Sequence, residues 1–254
     1  MCAIKLVGKF FTICLNVHIE SVMSKEYDLY VYSAGAVAPP LQEAVSAFEK
    51  KDGVVCRFTA GKPEALLKAI RVLKEGDIIS CGSEYVHDEA EDVGVLVKGT
   101  RRSVGYRRSV LITQRDNPKG ISHLEDLCEP GVRVGIASQG CLKAVWDDVC
   151  SKAGLIERIR PNVVEHADAC GSLMGLIHSG KVDVVFGWNA FKNVWPDTCE
   201  SVELPRDLQV FRSTGVQVVT YTRNLELSKK FIDFLLSPDG RDIYRNNGWL
   251  FEPI

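Results

Sequence analysis

The chain alternates short apolar runs with amphipathic stretches, and this pattern constrains its fold more than any other feature. Residues 29–32, 54–58 and 77–80 are apolar runs of strand length. Between them, residues 41–48 and 66–73 carry apolar side chains at helical spacing, and we predict that the second of these helices ends at Gly76. Strands that alternate with helices predict an α/β fold, in which a parallel sheet is covered by helices on both faces.

The same alternation starts again in the second half of the chain. Residues 132–136 and 182–186 are apolar runs, and residues 142–149 and 173–177 have helical spacing. No fixed period accompanies the pattern, which argues against a solenoid. A chain of 254 residues with 46% apolar content can bury two modest cores. We therefore predict two α/β lobes.

Two further runs predict how the lobes are connected. Residues 109–113 have the character of a strand that crosses from the first lobe to the second, and residues 215–220 can bring the chain back. The helical segments 231–236 and 239–246 would then pack on the first lobe. Two crossings form a hinge, and hinge closure over a ligand is a common motion of two-lobed proteins. The predicted lobes are residues 26–110 plus 214–254, and residues 111–213.

The first 25 residues do not follow this pattern, and we place residues 1–25 outside the fold. Lys5 and Lys9 precede the apolar residues 10–15, as in a weak export signal, but no Ala-x-Ala cleavage site follows. Export would place the protein on the periplasmic or extracellular face. Translation from Met23 would instead leave it in the cytoplasm, so both interpretations stay open.

Composition excludes several classes of function. A net charge of −2 does not suit an extended nucleic-acid surface, and no stretch approaches the length of a membrane span. The nine cysteines are odd in number and include no CxxC pair, so they predict neither a disulfide framework nor a zinc knuckle. The spacing of His166, Cys170 and His178 matches no metal-ligand pattern. We expect a monomer without metal or cofactor.

Small residues follow three of the predicted strands. These junctions are Ser33-Ala34-Gly35-Ala36, Thr59-Ala60-Gly61-Lys62 and Ser138-Gln139-Gly140. Ligands of α/β sheets bind at such carboxyl ends, where helix N-termini expose N–H groups and favour negative charge. Caps and turns use the same residue types, so each junction alone says little. Two junctions on one lobe facing one on the other predict an anion-binding cleft.

Some individual residues have two interpretations. Lys62 stands at a helix start, where its charge opposes the helix dipole, so either a bound anion or full solvation must compensate it. Trp188 and Asn189 follow the strand that ends at Phe186 and can line the cleft, although Trp188 also suits the core.

The densest basic cluster consists of Arg101, Arg102, Arg107 and Arg108. A solvated face is the simplest interpretation of this cluster, although Arg108 lies close to the predicted hinge.

The ordered set of junctions is similar to one known family. Val31-Tyr32-Ser33-Ala34-Gly35-Ala36, Phe58-Thr59-Ala60-Gly61 and Val185-Phe186-Gly187, together with the closing segments 231–240 and 244–248, resemble the molybdate- and tungstate-binding proteins of ABC transporters. The resemblance implies a two-lobed type II periplasmic-binding-protein fold with two hinge crossings. It also implies a tetrahedral oxyanion as ligand and a membrane permease as partner.

The chain departs from this family at the ligand positions. Bacterial members bind the oxyanion through serine hydroxyls and a tyrosine, and the matching residues here are Ala36, Lys62 and Phe186. A carboxylate position of archaeal members matches Gly187. Backbone donors and Lys62 would then hold the anion. The predicted ligand-binding residues are Ser33, Gly35, Ala36, Gly61, Lys62, Ser138, Gln139, Gly140, Phe186, Trp188 and Asn189.

Two other functions remain open at this point. A cytosolic flytrap could sense a ligand without any transport. An enzyme could use Cys141, because a helix N-terminus stabilises a thiolate, but it would need His123, His166 or His178 as a nearby base. No phosphate-loop or dinucleotide fingerprint is present.

Overall fold

The computed structural model describes residues 27–252 of the chain. Its first half contains β1 (Leu29–Ala34), α1 (Ala38–Asp52), β2 (Cys56–Gly61), α2 (Pro63–Leu73), β3 (Ile78–Cys81), α3 (Glu84–Asp92) and β4 (Arg102–Gln114). It continues with β5 (Val134–Ala137), α4 (Val145–Ala153), α5 (Ile156–Ile159), β6 (Val163–Ala167), α6 (Cys170–His178), β7 (Val184–Trp188), α7 (Phe191–Val194), β8 (Cys199–Val202), β9 (Phe211–Val218), α8 (Leu225–Leu236) and α9 (Pro238–Asn246). The predictions for the N-terminal extension and for Met23 lie outside the described residues.

Local sequence explains where α1 begins and ends. Pro39 and Pro40 lie in its first turn, where the missing N–H costs nothing. Leu41 and Phe48 are buried on its inner face, as their spacing predicts. The helix ends at Gly53, which adopts φ 68° in the left-handed region that glycine favours.

The strands form a mixed sheet in the order β2-β1-β3-β9-β4-β7-β5-β6, with β8 also paired to β4. β1 is parallel to β2 and β3, but β9 is antiparallel to β3 and to β4. The prediction of a purely parallel sheet is therefore wrong. The returning strand β9 runs against its neighbours because it joins the lobes directly, without a crossover helix.

The long strand β4 belongs to both halves of the molecule. Its residues 102–108 pair with β9, and its residues 109–113 pair with β7. Two buried apolar clusters divide at this strand, since Val104 belongs to one and Val110 to the other. The closing helices α8 and α9 pack on the first cluster. Within residues 27–252, no helix combines the length and apolar character needed to cross a membrane.

Two local predictions need correction, and one helix was not predicted. The helix predicted over residues 142–149 starts later, because Ala144 has φ 63° and separates the 3-10 turn Gly140–Leu142 from α4. The helix predicted to end at Gly76 ends at Lys74, which adopts φ 50°. Helix α3 was not predicted, since its sequence carries few apolar side chains.

In each lobe, a buried aspartate joins two neighbouring parallel strands by hydrogen bonds. These bonds lie at the opposite end of the strands from the predicted ligand-binding junctions. In the first lobe, the backbone N–H of Tyr30 donates to Asp77 (2.7 Å) and that of Asp77 donates to the Tyr30 carbonyl (2.9 Å). In the second lobe, the N–H of Arg133 donates to Asp183 (2.8 Å) and that of Asp183 to the Arg133 carbonyl (2.8 Å). The Arg133 guanidinium also pairs with Asp183 at 2.6 Å. Both lobes thus use one device to join neighbouring parallel strands.

Candidate ligand-binding cleft

A cavity of about 360 Å³ opens between the two clusters. The first lobe contributes the junctions after β1, β2 and β3, and the second lobe contributes the start of α6 and the turn before α4. This is the position that α/β sheets generally use for ligands. The lining residues are Ala34, Gly35, Ala36, Val37, Gly61, Lys62, Pro63, Glu64, Gly82, Ser83, Gly140, Cys141, Asp168, Ala169, Cys170, Gly171, Ser172 and Trp195.

The helices α1, α2, α3 and α6 all begin at this cavity. Their cap residues are Val37, Lys62, Ser83 and Ala169, and none of these side chains accepts a hydrogen bond from the first turn. The first N–H groups of a helix have no partner within the helix, and the dipole gives this end partial positive charge. In α1, Pro39 and Pro40 have no N–H, and the N–H of Ala38 bonds to the Gly35 carbonyl. The donors that suit an anion therefore come from α2, α3 and α6.

Lys62 and Asp168 form an ion pair across the cleft. The Lys62 Nζ lies 2.7 Å from Asp168 Oδ2, and both side chains are more than half exposed. Ser172 Oγ donates to the same carboxylate at 2.6 Å. The hydrogen bond to Asp168 raises the pKa of Lys62, and the same bond lowers the pKa of Asp168. Asp168 thus supplies the compensation that Lys62 needs at a helix start, and a ligand anion would compete with it.

Two cysteines lie side by side at the cavity. The sulfur atoms of Cys141 and Cys170 are 3.1 Å apart. Trp188 Nε1 donates to Cys141 Sγ at 3.2 Å, and Arg107 Nη1 donates to it at 3.4 Å. The hydrogen bond from Cys170, helped by the Arg107 charge, outweighs burial and lowers the pKa of Cys141 to about 5. The pKa of Cys170 is raised well above its usual value, by its hydrogen bond with Cys141 and by burial.

Arg107 is fully buried beneath this thiol pair. Its Nη2 donates to the Gly82 carbonyl at 2.6 Å, and its guanidinium lies 4.9 Å from the centre of the Trp188 ring. Within residues 27–252, its Nε has no hydrogen-bond partner and no carboxylate pairs with it. The solvated-face interpretation of the arginine cluster is therefore wrong for Arg107. The neighbour that can compensate its charge is Cys141, whose pKa is lowered.

Five of the predicted ligand residues line the cavity: Gly35, Ala36, Gly61, Lys62 and Gly140. The other predicted residues do not. The buried Ser33 donates its hydroxyl to the Ala34 carbonyl, and the exposed Ser138 donates to the Ala167 carbonyl. Gln139 is exposed and does not line the cavity.

The predicted residues of the second lobe have structural contacts instead. Phe186 is buried and packs edge-on against Trp146, at a ring distance of 6.5 Å. Trp188 is buried in the core, as the second interpretation of this residue had it, and reaches the site through its contact with Cys141. Asn189 accepts from the N–H of Arg108 and donates to the Gly248 carbonyl, which links the two halves of the chain.

Sequence reasoning missed two junctions of the site. Gly82 and Ser83 follow β3, and residues 168–172 follow β6. Both have the small residues that marked the other junctions, so the same rule would have found them. The second was missed because β6 contains the consecutive polar residues Glu165 and His166 and was not predicted as a strand.

The histidines proposed as bases for Cys141 do not contact it. Cys141 bonds to Cys170, Arg107 and Trp188, and His123 bonds to its neighbour Ser122. Among the described residues, no cluster of three potential metal ligands occurs.

Comparison with known proteins now identifies the family. The family model described as bacterial extracellular solute-binding protein matches residues 29–250. This chain belongs to that family. A sulfate-binding protein of Synechococcus elongatus is 23% identical over 248 residues, which cover 87% of this chain and 71% of the relative.

Solved structures confirm the type II periplasmic-binding-protein fold. PEB3 of Campylobacter jejuni, in its complex with L-phospholactate, is 22% identical with a TM-score of 0.80, over 89% of this chain and all of PEB3. The periplasmic molybdate-binding protein of Azotobacter vinelandii is 16% identical with a TM-score of 0.73, over 88% of this chain and 99% of the other. The predicted resemblance to the molybdate-binding family is therefore confirmed at the level of the fold.

Proposed function

We propose that this protein is the solute-binding component of an ABC transporter and that it binds a small oxyanion between its lobes. The convergence of three helix N-termini without side-chain caps, those of α2, α3 and α6, on one cavity carries this proposal. Lys62 adds a positive charge at the rim of the cavity. The protein would act as a monomer on the periplasmic or extracellular face and present its ligand to a membrane permease.

The three relatives described above support an oxyanion as the ligand class, whereas other solved structures with this fold are iron-binding proteins. The three relatives bind sulfate, molybdate and L-phospholactate, which all carry negatively charged oxygen atoms. The lining of this cleft includes Ser83, and Ser172 whose hydroxyl donates to Asp168, but is mostly backbone and small side chains. We infer that backbone N–H groups supply most of the hydrogen bonds to the anion, with Lys62 as the charged donor.

Binding without catalysis fits the same geometry. The nucleophile of a Cys-His mechanism needs a base within hydrogen-bond distance, and the partners of Cys141 are an arginine, an indole N–H and a second thiol. These groups stabilise a thiolate but leave no neutral imidazole to shuttle a proton.

Thermal unfolding of the full chain against sulfate, phosphate, molybdate, tungstate, L-phospholactate and neutral amino acids tests the proposal. An anion present at about a hundred times its dissociation constant stabilises the protein by about 2.7 kcal/mol, which is a clear shift in Tm. No shift with any of the anions, or a shift with a neutral amino acid alone, would contradict an oxyanion ligand.

A pair of variants sharpens this test. Lys62→Ala removes the charged donor, and we expect the anion affinity to fall several-fold. Asp168→Asn removes the carboxylate that competes for Lys62, and we expect the affinity to rise. Calorimetric titration measures the anion affinity of both variants. If both substitutions changed the affinity in the same direction, the ion pair would affect binding only by stabilising the fold.

A further inference from the structure

The anion proposal gives no role to the thiol pair, although both cysteines line the cavity. Cys141 is partly exposed and Cys170 is 6% exposed, so the pair can be reached through the cleft. Their sulfur atoms are 3.1 Å apart, and a disulfide would require them to approach by only about 1 Å more. The two residues therefore already stand close to bonding geometry.

The surroundings make the two sulfurs chemically different. Cys141 receives hydrogen bonds from the Arg107 guanidinium, the Trp188 indole and the Cys170 thiol. A positively charged neighbour and several donors favour the thiolate, which is the nucleophilic form of cysteine. Arg107 and Trp188 donate to Cys141 and not to Cys170, so Cys170 is the thiol that keeps its proton. One sulfur is thus prepared to attack, and the other is placed to react second.

Other buried cysteines of the described chain lack this environment. Burial raises the pKa of Cys81 and of Cys150 to about 12, and neither thiol has a hydrogen-bonding arginine. Cys128 is partly exposed, and burial also raises its pKa. The thiolate at Cys141 is therefore a property of its site and does not follow from burial.

We propose that Cys141 and Cys170 form a redox-active dithiol that undergoes exchange with small disulfides entering the cleft. Cys141 is the attacking thiolate and Cys170 the resolving thiol. The fold, the family and the proposed anion site do not by themselves require such chemistry. Failure of this inference would accordingly leave the proposed function standing.

The exchange balances in two steps. The Cys141 thiolate attacks one sulfur of the disulfide RS–SR, which forms a mixed disulfide and releases RS⁻. Cys170 then loses its proton and attacks Cys141 Sγ, which forms the Cys141–Cys170 bond and releases the second RS group as RSH. Two protein sulfurs are oxidised, and the small disulfide is reduced to two thiol equivalents.

Oxidation also changes the charge of the cleft. The Cys141 thiolate carries a negative charge beside the buried Arg107, and a disulfide carries none. The positive charge of Arg107 then has no anionic neighbour among the described residues. An anion in the cavity would meet a more positive floor in the oxidised protein.

The test uses the fully reduced full chain and 2-hydroxyethyl disulfide as the probe. Peptide mass spectrometry after brief incubation should show a peptide in which Cys141 is linked to Cys170. Cys170→Ser should instead retain the mixed disulfide on Cys141, because no resolving thiol remains. Cys141→Ser should react at neither position, and Cys128→Ser should behave as the wild type does.

Alkylation rates provide a second measurement that does not depend on disulfide formation. The rate of iodoacetamide reaction at Cys141 should change little between pH 8 and pH 6. An ordinary thiol loses about tenfold in rate for each unit below its pKa of about 8.5. The proposal would be overturned if Cys141 stayed unlinked under conditions that modify Cys128. It would also be overturned if the alkylation rate at Cys141 fell with pH as that of an ordinary thiol does.

Discussion

The cleft end of the sheet and the end away from the cleft differ in whether side chains bind the backbone N–H groups that lie there. At the end away from the cleft, Asp77 and Asp183 accept backbone N–H groups, and Asn224 and Ser237 cap helices α8 and α9 with their side chains. At the cleft end, α1, α2, α3 and α6 begin without side-chain caps. Helices α4, α5 and α7 also lack side-chain caps but do not begin at the cavity.

This difference separates stability from binding. Backbone donors that a protein does not satisfy itself cost stability unless water or a ligand satisfies them. The two helices with side-chain caps, α8 and α9, lie away from the cavity, and none of the helices that begin at the cleft has such a cap. Small or apolar cap residues such as Ala169 are therefore informative at the cleft, although they look unremarkable in sequence.

The largest effect should come from the far end, at Asp183. Asp183→Ala leaves the N–H of Arg133 without its acceptor and removes a buried carboxylate that is 2.6 Å from the guanidinium. We expect the free energy of unfolding to fall by about 2–4 kcal/mol. Anion affinity should be unchanged, because this residue is absent from the cavity lining. Urea unfolding and calorimetric titration measure the two quantities.

The pH dependence of the same site provides a further check. Burial raises the pKa of Asp183, but hydrogen bonds from the Arg133 side chain and backbone outweigh it and hold the pKa below its usual value of 3.8. The stabilisation is complete above the unfolded pKa and is lost as the pH falls through the folded value. Asp183→Ala should therefore unfold with less dependence on acid pH below about 4. Asp197→Ala, at an exposed ion pair, is the control and should change stability little.

A new helix cap at the cleft should raise stability and weaken anion binding, in contrast to the Asp183 substitution. Ala169 has the extended backbone of a cap residue, with φ −157° and ψ 162°. Ala169→Asp should stabilise α6 by about 1 kcal/mol and weaken anion binding by about tenfold, because its carboxylate occupies the N–H groups and repels the ligand. Ala169→Asn caps without charge and should weaken binding less. An unchanged affinity in Ala169→Asp would show that α6 does not contribute to the site.

The smallest effect should come from removing a cap at the far end. The Asn224 side chain accepts from the N–H of Leu227 at 3.0 Å. Asn224→Ala should lower the free energy of unfolding by about 1 kcal/mol and leave anion affinity unchanged. A loss of anion affinity in this variant would show that residues away from the cleft also contribute to binding.

Much of the fold was predictable because its signals are local. Apolar runs and helical spacing identified β1, α1 and the crossing strand β4, since each pattern depends on residues that are neighbours in sequence. The start of α4 escaped prediction because the left-handed backbone of Ala144 has no signature in that residue type. The burial of Arg107 escaped as well, because only the packing of both lobes encloses it.

The sequence by itself determined the alternation of strands and helices, the return of the chain to its first lobe and the small residues at the cleft junctions. Only the tertiary structure decided which of these junctions meet. Lys62 and Asp168 are 106 positions apart, and Cys141 and Cys170 are 29 apart, so neither pair has a local pattern. Helical and strand periodicity report contacts within an element, whereas the charge and reactivity of this cleft arise where separate elements end side by side.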